Sequence, residues 1–187
     1  GKRVAVLTTV GGWGVVTADA IARDGVLDLV DLSDDLMSKL SALLPPRWSR
    51  NNPIDCAGGE TRDTVIEIMD IVAAHDSIDA VIFLGIGIQS NQAKMMRSGG
   101  FYPDHGLERI VSYHEKQDER YALTAREVAS KYGKPILIAT ELAVADPENA
   151  GPAAVRESGA YCYPTGARAA SSLAHLYEYA KYRGIAQ

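Results

Sequence analysis

Residues 3–20 read Arg3-Val-Ala-Val-Leu-Thr-Thr-Val-Gly-Gly-Trp-Gly-Val-Val-Thr-Ala-Asp-Ala20. An apolar run enters three glycines within four residues, Gly11, Gly12 and Gly14, and a helical pattern starts at once. This is how an α/β domain sets a helix N-terminus at the carboxyl edge of its sheet. The first amides of such a helix have no partner inside it and face whatever lies outside, most often an anion. The spacing is GGxG. It is neither the dinucleotide fingerprint GxGxxG nor a P-loop, because no Lys-Ser or Lys-Thr follows. Two readings stay open: an anion site, or glycines that let the helix pack close to the strand.

The rest of the chain supplies the frame. Residues 3–9 form a continuous apolar strand suited to a sheet covered on both faces. A helix follows over 14–24, with Val15, Ala18, Ile21 and Ala22 on one stripe and Gly25 in the C′ position. A short strand, Leu27–Leu32, leads to a helix over 34–44. Ser33 or Asp34 caps it, Leu36, Leu40, Leu43 and Leu44 face inward, and Pro45-Pro46 stops it. Residues 45–59 read as a loop. Thr61 is the expected cap of a helix over 62–75 that turns Val65, Ile68, Met69 and Val72 inward. A third strand is Asp79–Leu84. From Gly85 to about residue 107 no periodicity is visible, and so long a loop implies a use or a short helix within it. A helix over Leu107–Tyr132, closed by Gly133, leads to a fourth strand, Pro135–Thr140. A short helix at Pro152–Ser158 and a fifth strand at Ala160–Tyr163 follow. Thr165 caps a last helix over 166–183, with Ala169, Leu173, Leu176 and Ala180 on one side. Strands alternating with helices predict a five-stranded parallel, doubly wound sheet with right-handed crossovers. The expected order is the flavodoxin-like 2-1-3-4-5, which puts Gly11–Gly14 and Gly85–Ser90 on either side of one crevice.

Bulk properties bound the function. The 187 residues fit one domain, with a possible insertion at about 88–121. Such a chain buries about 70% of its unfolded surface without staples. A net charge of −5 argues against a nucleic-acid or anionic-membrane surface. Cys56 and Cys162 stand apart from any Cys/His cluster, so no zinc site is legible and a reducing, cytoplasmic setting is expected. No apolar run reaches transmembrane length, and no signal peptide is expected.

Candidate chemistry is sparse. A receiver domain needs an acidic pair after strand one and an Asp ending strand three, where this chain has Thr9-Val10 and Leu84-Gly85. An FMN site wants hydroxyls in the first loop, and Thr8-Thr9 precede the glycines instead. His75 and His175 lie near or within helices and read as packed or surface residues. Asp104-His105 and His114-Glu115 have no metal-ligand spacing. Glu141 stands at the carboxyl end of strand four, where functional residues of such sheets sit, and could equally cap the next turn. No Ser has a nucleophile-elbow context. Asn51-Asn52-Pro53-Ile54-Asp55 is turn chemistry, with side chains that bond the local backbone.

Several strings together resemble a family. Gly11-Gly-Trp-Gly-Val-Val-Thr-Ala-Asp-Ala20, Leu43-Leu-Pro-Pro46, Asn52-Pro-Ile-Asp55, Asp79-Ala-Val-Ile-Phe83, Gly133-Lys-Pro-Ile-Leu-Ile138 and Tyr163-Pro-Thr165 look like a domain of the NDP-forming acyl-CoA synthetases, relatives of succinyl-CoA synthetase. The likeness is to the second flavodoxin-like domain, which follows the CoA-binding and phosphohistidine domains. The resemblance implies an enzyme that makes ATP from acyl-CoA, ADP and phosphate through an acyl phosphate and a phosphohistidine. Two helices, one from each flavodoxin-like domain, aim their N-termini at the phosphohistidine. On that footing Gly11, Gly12, Trp13, Gly14 and Val15 are the phosphate-binding residues, and Asn52, Pro53 and Asp55 form the supporting loop. The chain lacks the surroundings of the phosphohistidine and the ATP-grasp residues, so no catalytic residue and no metal ligand is assigned to it. This domain alone is expected to bind no cofactor. ATP/ADP, Mg and CoA belong to the complete enzyme, whose CoA-binding, phosphohistidine and ATP-grasp domains are the expected partners. Nucleic acid and membrane are not. The segment 88–121 is longer than the family's usual connection, and Met95-Met-Arg-Ser-Gly-Gly-Phe-Tyr102 has no counterpart in it. Met95, Met96, Phe101 and Tyr102 there are expected to be exposed. The alternative role is a non-catalytic regulatory or interaction domain, such as the synthetase-like part of an acyltransferase.

Overall fold

The structure is a computed structural model that describes residues 1–58 and 63–186. The strands are β1 (Arg3–Thr8), β2 (Asp28–Leu29), β3 (Ile54–Asp55), β4 (Ala80–Leu84), β5 (Ile136–Ala139) and β6 (Cys162–Tyr163). The helices are α1 (Gly11–Asp24), α2 (Asp34–Leu43), α3 (Thr64–Ala74), α4 (Ile88–Arg97), α5 (Leu107–Tyr132), α6 (Leu142–Ala145), α7 (Ala150–Glu157) and α8 (Gly166–Tyr182). All pairings are parallel, in the order β2-β1-β4-β5-β6, with β3 also paired to β1. The five expected strands take their expected order. The count is corrected to six, because Ile54-Asp55, read as loop, pairs with Leu7-Thr8.

The sheet's two faces follow from period-two alternation. Val4, Val6, Ala80, Ile82 and Leu84 pack against Ile21 of α1 and Ala169 and Leu173 of α8. Ala5, Leu7, Val81 and Phe83 face Leu36 and Leu40 of α2, Val65 and Ile68 of α3, and Tyr121 and Ala125 of α5. With both faces covered, central strands have no polar face, which is why β1 and β4 read as unbroken apolar runs.

Local signals set most boundaries. Ser33 Oγ accepts from Leu36 N at 3.3 Å and starts α2, and Thr165 Oγ1 accepts from Arg168 N at 3.2 Å and starts α8. Gly25 and Gly133 end α1 and α5 in left-handed backbone, with φ of 73° and 63°. The expected cap Thr61 lies outside the described residues.

The segment after β4 contains a short helix, α4, one of the two outcomes its length implied. Its cap comes from far away in sequence. The Asp118 carboxylate, fully buried on α5, accepts from Gly87 N at 2.9 Å and Ser90 N at 2.7 Å. Burial pushes this carboxyl above its ordinary value, against the opposing pull of those N–H groups. Two stripes are also corrected. The buried residues of α1 are Gly14, Thr17 and Ile21, while Val15 is 59% exposed and Ala22 is exposed. On α8, Ala169, Ala170, Leu173 and Ala174 are buried and Leu176 is 58% exposed. Both corrections have one cause. The two helices pack against each other at close range, where small residues make the contact. A Cβ on Gly166 would stand 1.9 Å from Thr17 Oγ1.

Met95 on α4 and Phe101 in the α4–α5 connection are 68% and 73% exposed, while Met96 and Tyr102 are half-buried. No described helix is long and apolar enough to cross a membrane.

Candidate functional site

The glycine run opens α1 as its composition requires. Val10 is the N-cap, in extended backbone at φ −132°, and no side chain caps the helix. No acidic residue lies in its first turn. Trp13 N and Gly14 N reach back to Val10 O at 3.1 and 3.4 Å. The amides of Gly11 and Gly12 have no hydrogen-bond partner among the described residues. Thr8 Oγ1 donates to Val10 O and accepts from Val10 N, which holds the turn that precedes them.

The three glycines have different surroundings. A Cβ on Gly12 would meet nothing within 4 Å. A Cβ on Gly14 would lie 3.0 Å from Thr8 Cγ2 and 3.2 Å from Pro53 Cβ, so Gly14 is a packing position. A Cβ on Gly11 would lie 2.5 Å from Asp55 Oδ2. Trp13 is half-buried, and Val15, two positions on, is exposed. The open approach to the helix start is therefore over Gly12.

The loop Asn52-Pro53-Ile54-Asp55 lies directly beneath this helix start, each residue with a separate task. The Asn52 amide fills the gap between β2 and β3 along the edge of β1. Its Oδ1 accepts from Val6 N at 2.9 Å, and its Nδ2 donates to Val4 O at 2.8 Å and Val30 O at 3.0 Å. One side chain thus does the work of a strand residue. Pro53 packs on Gly14. Asp55 pairs through its backbone with Thr8, and its Oδ1 accepts from Ala57 N at 2.9 Å, an Asx turn that fixes the carboxylate beside Gly11. Sequence reasoning separated the glycine run from this loop by about forty positions; the β1–β3 pairing joins them.

The β4–α4 loop meets the same turn. Gly85, at φ 106°, comes so close to Thr9 that a Cβ would sit 2.1 Å from Thr9 Oγ1. Thr9 N donates to Leu84 O at 3.4 Å. The two loops expected to flank one crevice do touch. A cleft of about 160 Å³ opens on the α8 side of this edge, lined by Trp13, Thr17, Thr140, Glu141, Thr165 and Gly166. Glu141 is exposed at its rim, so sequence reasoning placed it at the correct edge.

The other candidates are dispersed. His75 Nδ1 accepts from Ser77 N at 3.2 Å, and Nε2 lies 3.2 Å from Ser33 Oγ, which ties the end of α3 to the cap of α2. His114 bonds Gln89, Glu115 pairs with Arg97 at 2.9 Å, and His175 is exposed. His105 lies beside Phe101, ring centroids 6.0 Å apart. Among the described residues no group of three or more His, Cys, Asp or Glu is placed to hold a metal ion. Both cysteines are buried, and burial pushes the Cys162 thiol up to about 11, so it stays protonated and unreactive.

Fold and edge together define a doubly wound, flavodoxin-like α/β domain whose best-formed feature is a glycine-started helix at the carboxyl edge of β1. Residues 4–88, which contain β1 from Val4 onward and β2 to β4, match the Ligase-CoA domain family. Residues of this chain are 32% identical over 82 positions to the Acetate--CoA ligase [ADP-forming] II subunit alpha of Pyrococcus furiosus, covering 44% of this chain and 18% of that protein. They are 30% identical over 79 positions to the Acetate--CoA ligase [ADP-forming] I of Archaeoglobus fulgidus, covering 42% and 11%. The dinucleotide-forming acetyl-coenzyme A synthetase 1 of Ca. Korarchaeum cryptofilum superposes in its apo form with a TM-score of 0.68 at 24% identity, over 99% of this chain and 35% of that one. The same protein is also known in complex with phosphate and ADP. These likenesses support a similarity of this chain to a domain of the NDP-forming acyl-CoA synthetases. It spans less than a fifth of the length of either ligase relative.

Proposed function

We propose that this domain serves an enzyme that converts acyl-CoA, ADP and phosphate to acid, CoA and ATP. Its part is to stabilise the phosphoryl group carried on a histidine of a neighbouring domain. One observation carries the reading: the first turn of α1 presents the Gly11 and Gly12 amides with no cap, no acid in the turn and open space over Gly12. Oriented amides and the helix dipole favour an anion there by roughly 0.3–2 kcal/mol, and by more once a docked partner excludes water. The resemblance of Gly11–Ala20 and Asn52–Asp55 to the family's strings, and the match over residues 4–88, support the assignment.

In this reading the chain's own residues bind and orient. Gly11 and Gly12 donate to the phosphoryl oxygens, and Gly14 on Pro53 and Thr8 sets the angle at which α1 leaves the sheet. Asn52 holds the edge of β1 on which that angle depends. The nucleophile, the nucleotide with its Mg, and CoA belong to the phosphohistidine, ATP-grasp and CoA-binding domains. The chain by itself is therefore silent. Acyl-CoA-dependent ATP formation from ADP and phosphate is absent with the 187-residue chain and appears when the partner domains are added. Turnover by the chain alone overturns the proposal.

A further inference from the structure

Among the described residues Asp118 is the one fully buried carboxyl, and nothing in the proposed function uses it. Both of its oxygens are held by the start of α4. Oδ1 accepts from Gly87 N at 2.9 Å and Oδ2 from Ser90 N at 2.7 Å. The Ser90 hydroxyl is buried beside the carboxyl and makes no hydrogen bond of good geometry. No Lys or Arg pairs with Asp118, because the charged side chains of the packed elements are engaged elsewhere. On α4, Lys94 pairs with Asp146 and Arg97 with Glu115 of α5. On α7, Arg156 donates to Pro147 O. On the α3 side, Asp63 pairs with Arg120 and Asp70 with Lys131, and Glu67 is exposed. His114, one turn earlier on α5, is the titratable group that acts on Asp118, and it bonds Gln89 of α4.

We infer that α4 is a proton-gated flap: with Asp118 protonated its first turn stays closed on α5, and with Asp118 ionised that turn lifts and lets water reach the carboxylate. This stands apart from the reading of α1. The helix is lightly held, since it buries only Ser90 and Ala93, has no side-chain cap of its own, and its ion pairs lie at the surface. Gly87 is the pivot, at φ 89° and with its carbonyl accepting from Asn149 Nδ2 at 3.1 Å. Burial is the largest influence on the Asp118 carboxyl and raises it. The donors of Ser90 and Gly87, and His114, pull the other way without cancelling it. A carboxyl that is raised when covered holds its proton more tightly there than in water. Protonation therefore favours the closed flap and ionisation the open one, so opening increases as pH rises from the carboxyl's ordinary value to its covered value. Opening also gives water to Ser90 Oγ, which has no partner in the closed arrangement. The flap adjoins the carboxyl edge of the sheet, because Gly85, two residues before the pivot, rests on Thr9.

The test is amide hydrogen exchange of the 187-residue chain from about pH 4 to about pH 8, with each rate corrected for its intrinsic pH dependence. Protection is read at the Ser90 amide. The Leu36 amide, capped by Ser33 on α2, is the reference. The carboxyl carbon resonance of Asp118 follows its titration in the same sample. The expected result is that Asp118 titrates above ordinary carboxyls and that Ser90 protection falls at least about threefold as pH rises through that titration, by no more than about tenfold per pH unit. Leu36 shows no such step. Asp118→Asn, neutral at every pH, abolishes the step at Ser90. His114→Gln, which removes the other titratable group bonded to α4, keeps it. Wild-type Ser90 protection that is flat or rises with pH overturns the inference whether or not any variant folds. So does a step that persists in a folded Asp118→Asn or vanishes in a folded His114→Gln.

Discussion

Asn52 shows how one residue can decide whether a site exists. Its amide satisfies Val6 N, Val4 O and Val30 O, three backbone groups at the edge of β1 where β2 has ended and β3 has not begun. Each buried backbone group left without a partner costs about 1–3 kcal/mol. Asn52→Ala is therefore expected to lower stability by about 2–4 kcal/mol in urea unfolding, with the Gly11 and Gly12 amides shifted because the loop beneath them loosens. A loss below about 1 kcal/mol contradicts this account of the edge. At the same scale, Gly14 is no probe of the anion site: its missing side chain faces Thr8 and Pro53. The sequence could place Gly11, Gly12 and Gly14 at a helix start. It could not tell which of them faced out, because that depends on Pro53 and Asp55, about forty residues downstream.

Among elements, those with strong local chemistry were legible. The unbroken apolar runs of β1 and β4, the caps Ser33 and Thr165, and the terminal glycines Gly25 and Gly133 all report on neighbours in sequence. Elements that depend on distant partners were not. β3 is two residues that pair only because Asn52 carries the strand edge to them. α4 buries only Ser90 and Ala93 and takes its cap from Asp118, so it shows neither an apolar stripe nor a local cap. The stripes of α1 and α8 were misassigned because Gly166 and Thr17 carry no hydrophobic signal and yet form a close contact between the two helices.

β1 and β4 are also tied at their starts. Asp79 accepts from Arg3 N and Arg3 Nε at 3.0 Å and from an Arg3 guanidinium nitrogen at 2.7 Å. The Arg3 side chain holds the Asp79 carboxyl down, from 3.8 to about 2. A depressed carboxyl stabilises the fold above its unfolded value, and that contribution is lost as pH falls through the folded one. Asp79→Asn is thus expected to cost about 1–2 kcal/mol near neutrality, after solvent screening of a partly exposed pair. The gap from wild type should close as pH falls from about 4 toward 2. A gap that is independent of pH between 3 and 7 contradicts the ion-pair account.

For the whole molecule, the matched region and the site coincide. Residues 4–88 contain the glycine run and the loop that supports it, while α4 after Ile88, with exposed Met95, and the α4–α5 connection, with exposed Phe101, lie outside the aligned family region. The resemblance was legible in Gly11–Ala20 and Asn52–Asp55, whose first and last residues meet at the carboxyl edge of β1. The remainder answers to packing partners that no local pattern names. The central claim is that the first turn of α1 receives a phosphoryl group from another domain. Gly12→Asp tests it most directly, since the position is open, an acidic residue suits a first helical turn, and the new charge stands where the phosphoryl group must come. The measurement is the rate of radiolabelled phosphoenzyme formation in the assembled enzyme, beside Gly12→Ala as a size control and thermal melting as a fold control. The account predicts an unchanged melting profile, near-normal transfer by Gly12→Ala, and a loss of about tenfold to a thousandfold by Gly12→Asp. Normal phosphoryl transfer by a folded Gly12→Asp enzyme contradicts it and leaves the glycine run as packing alone.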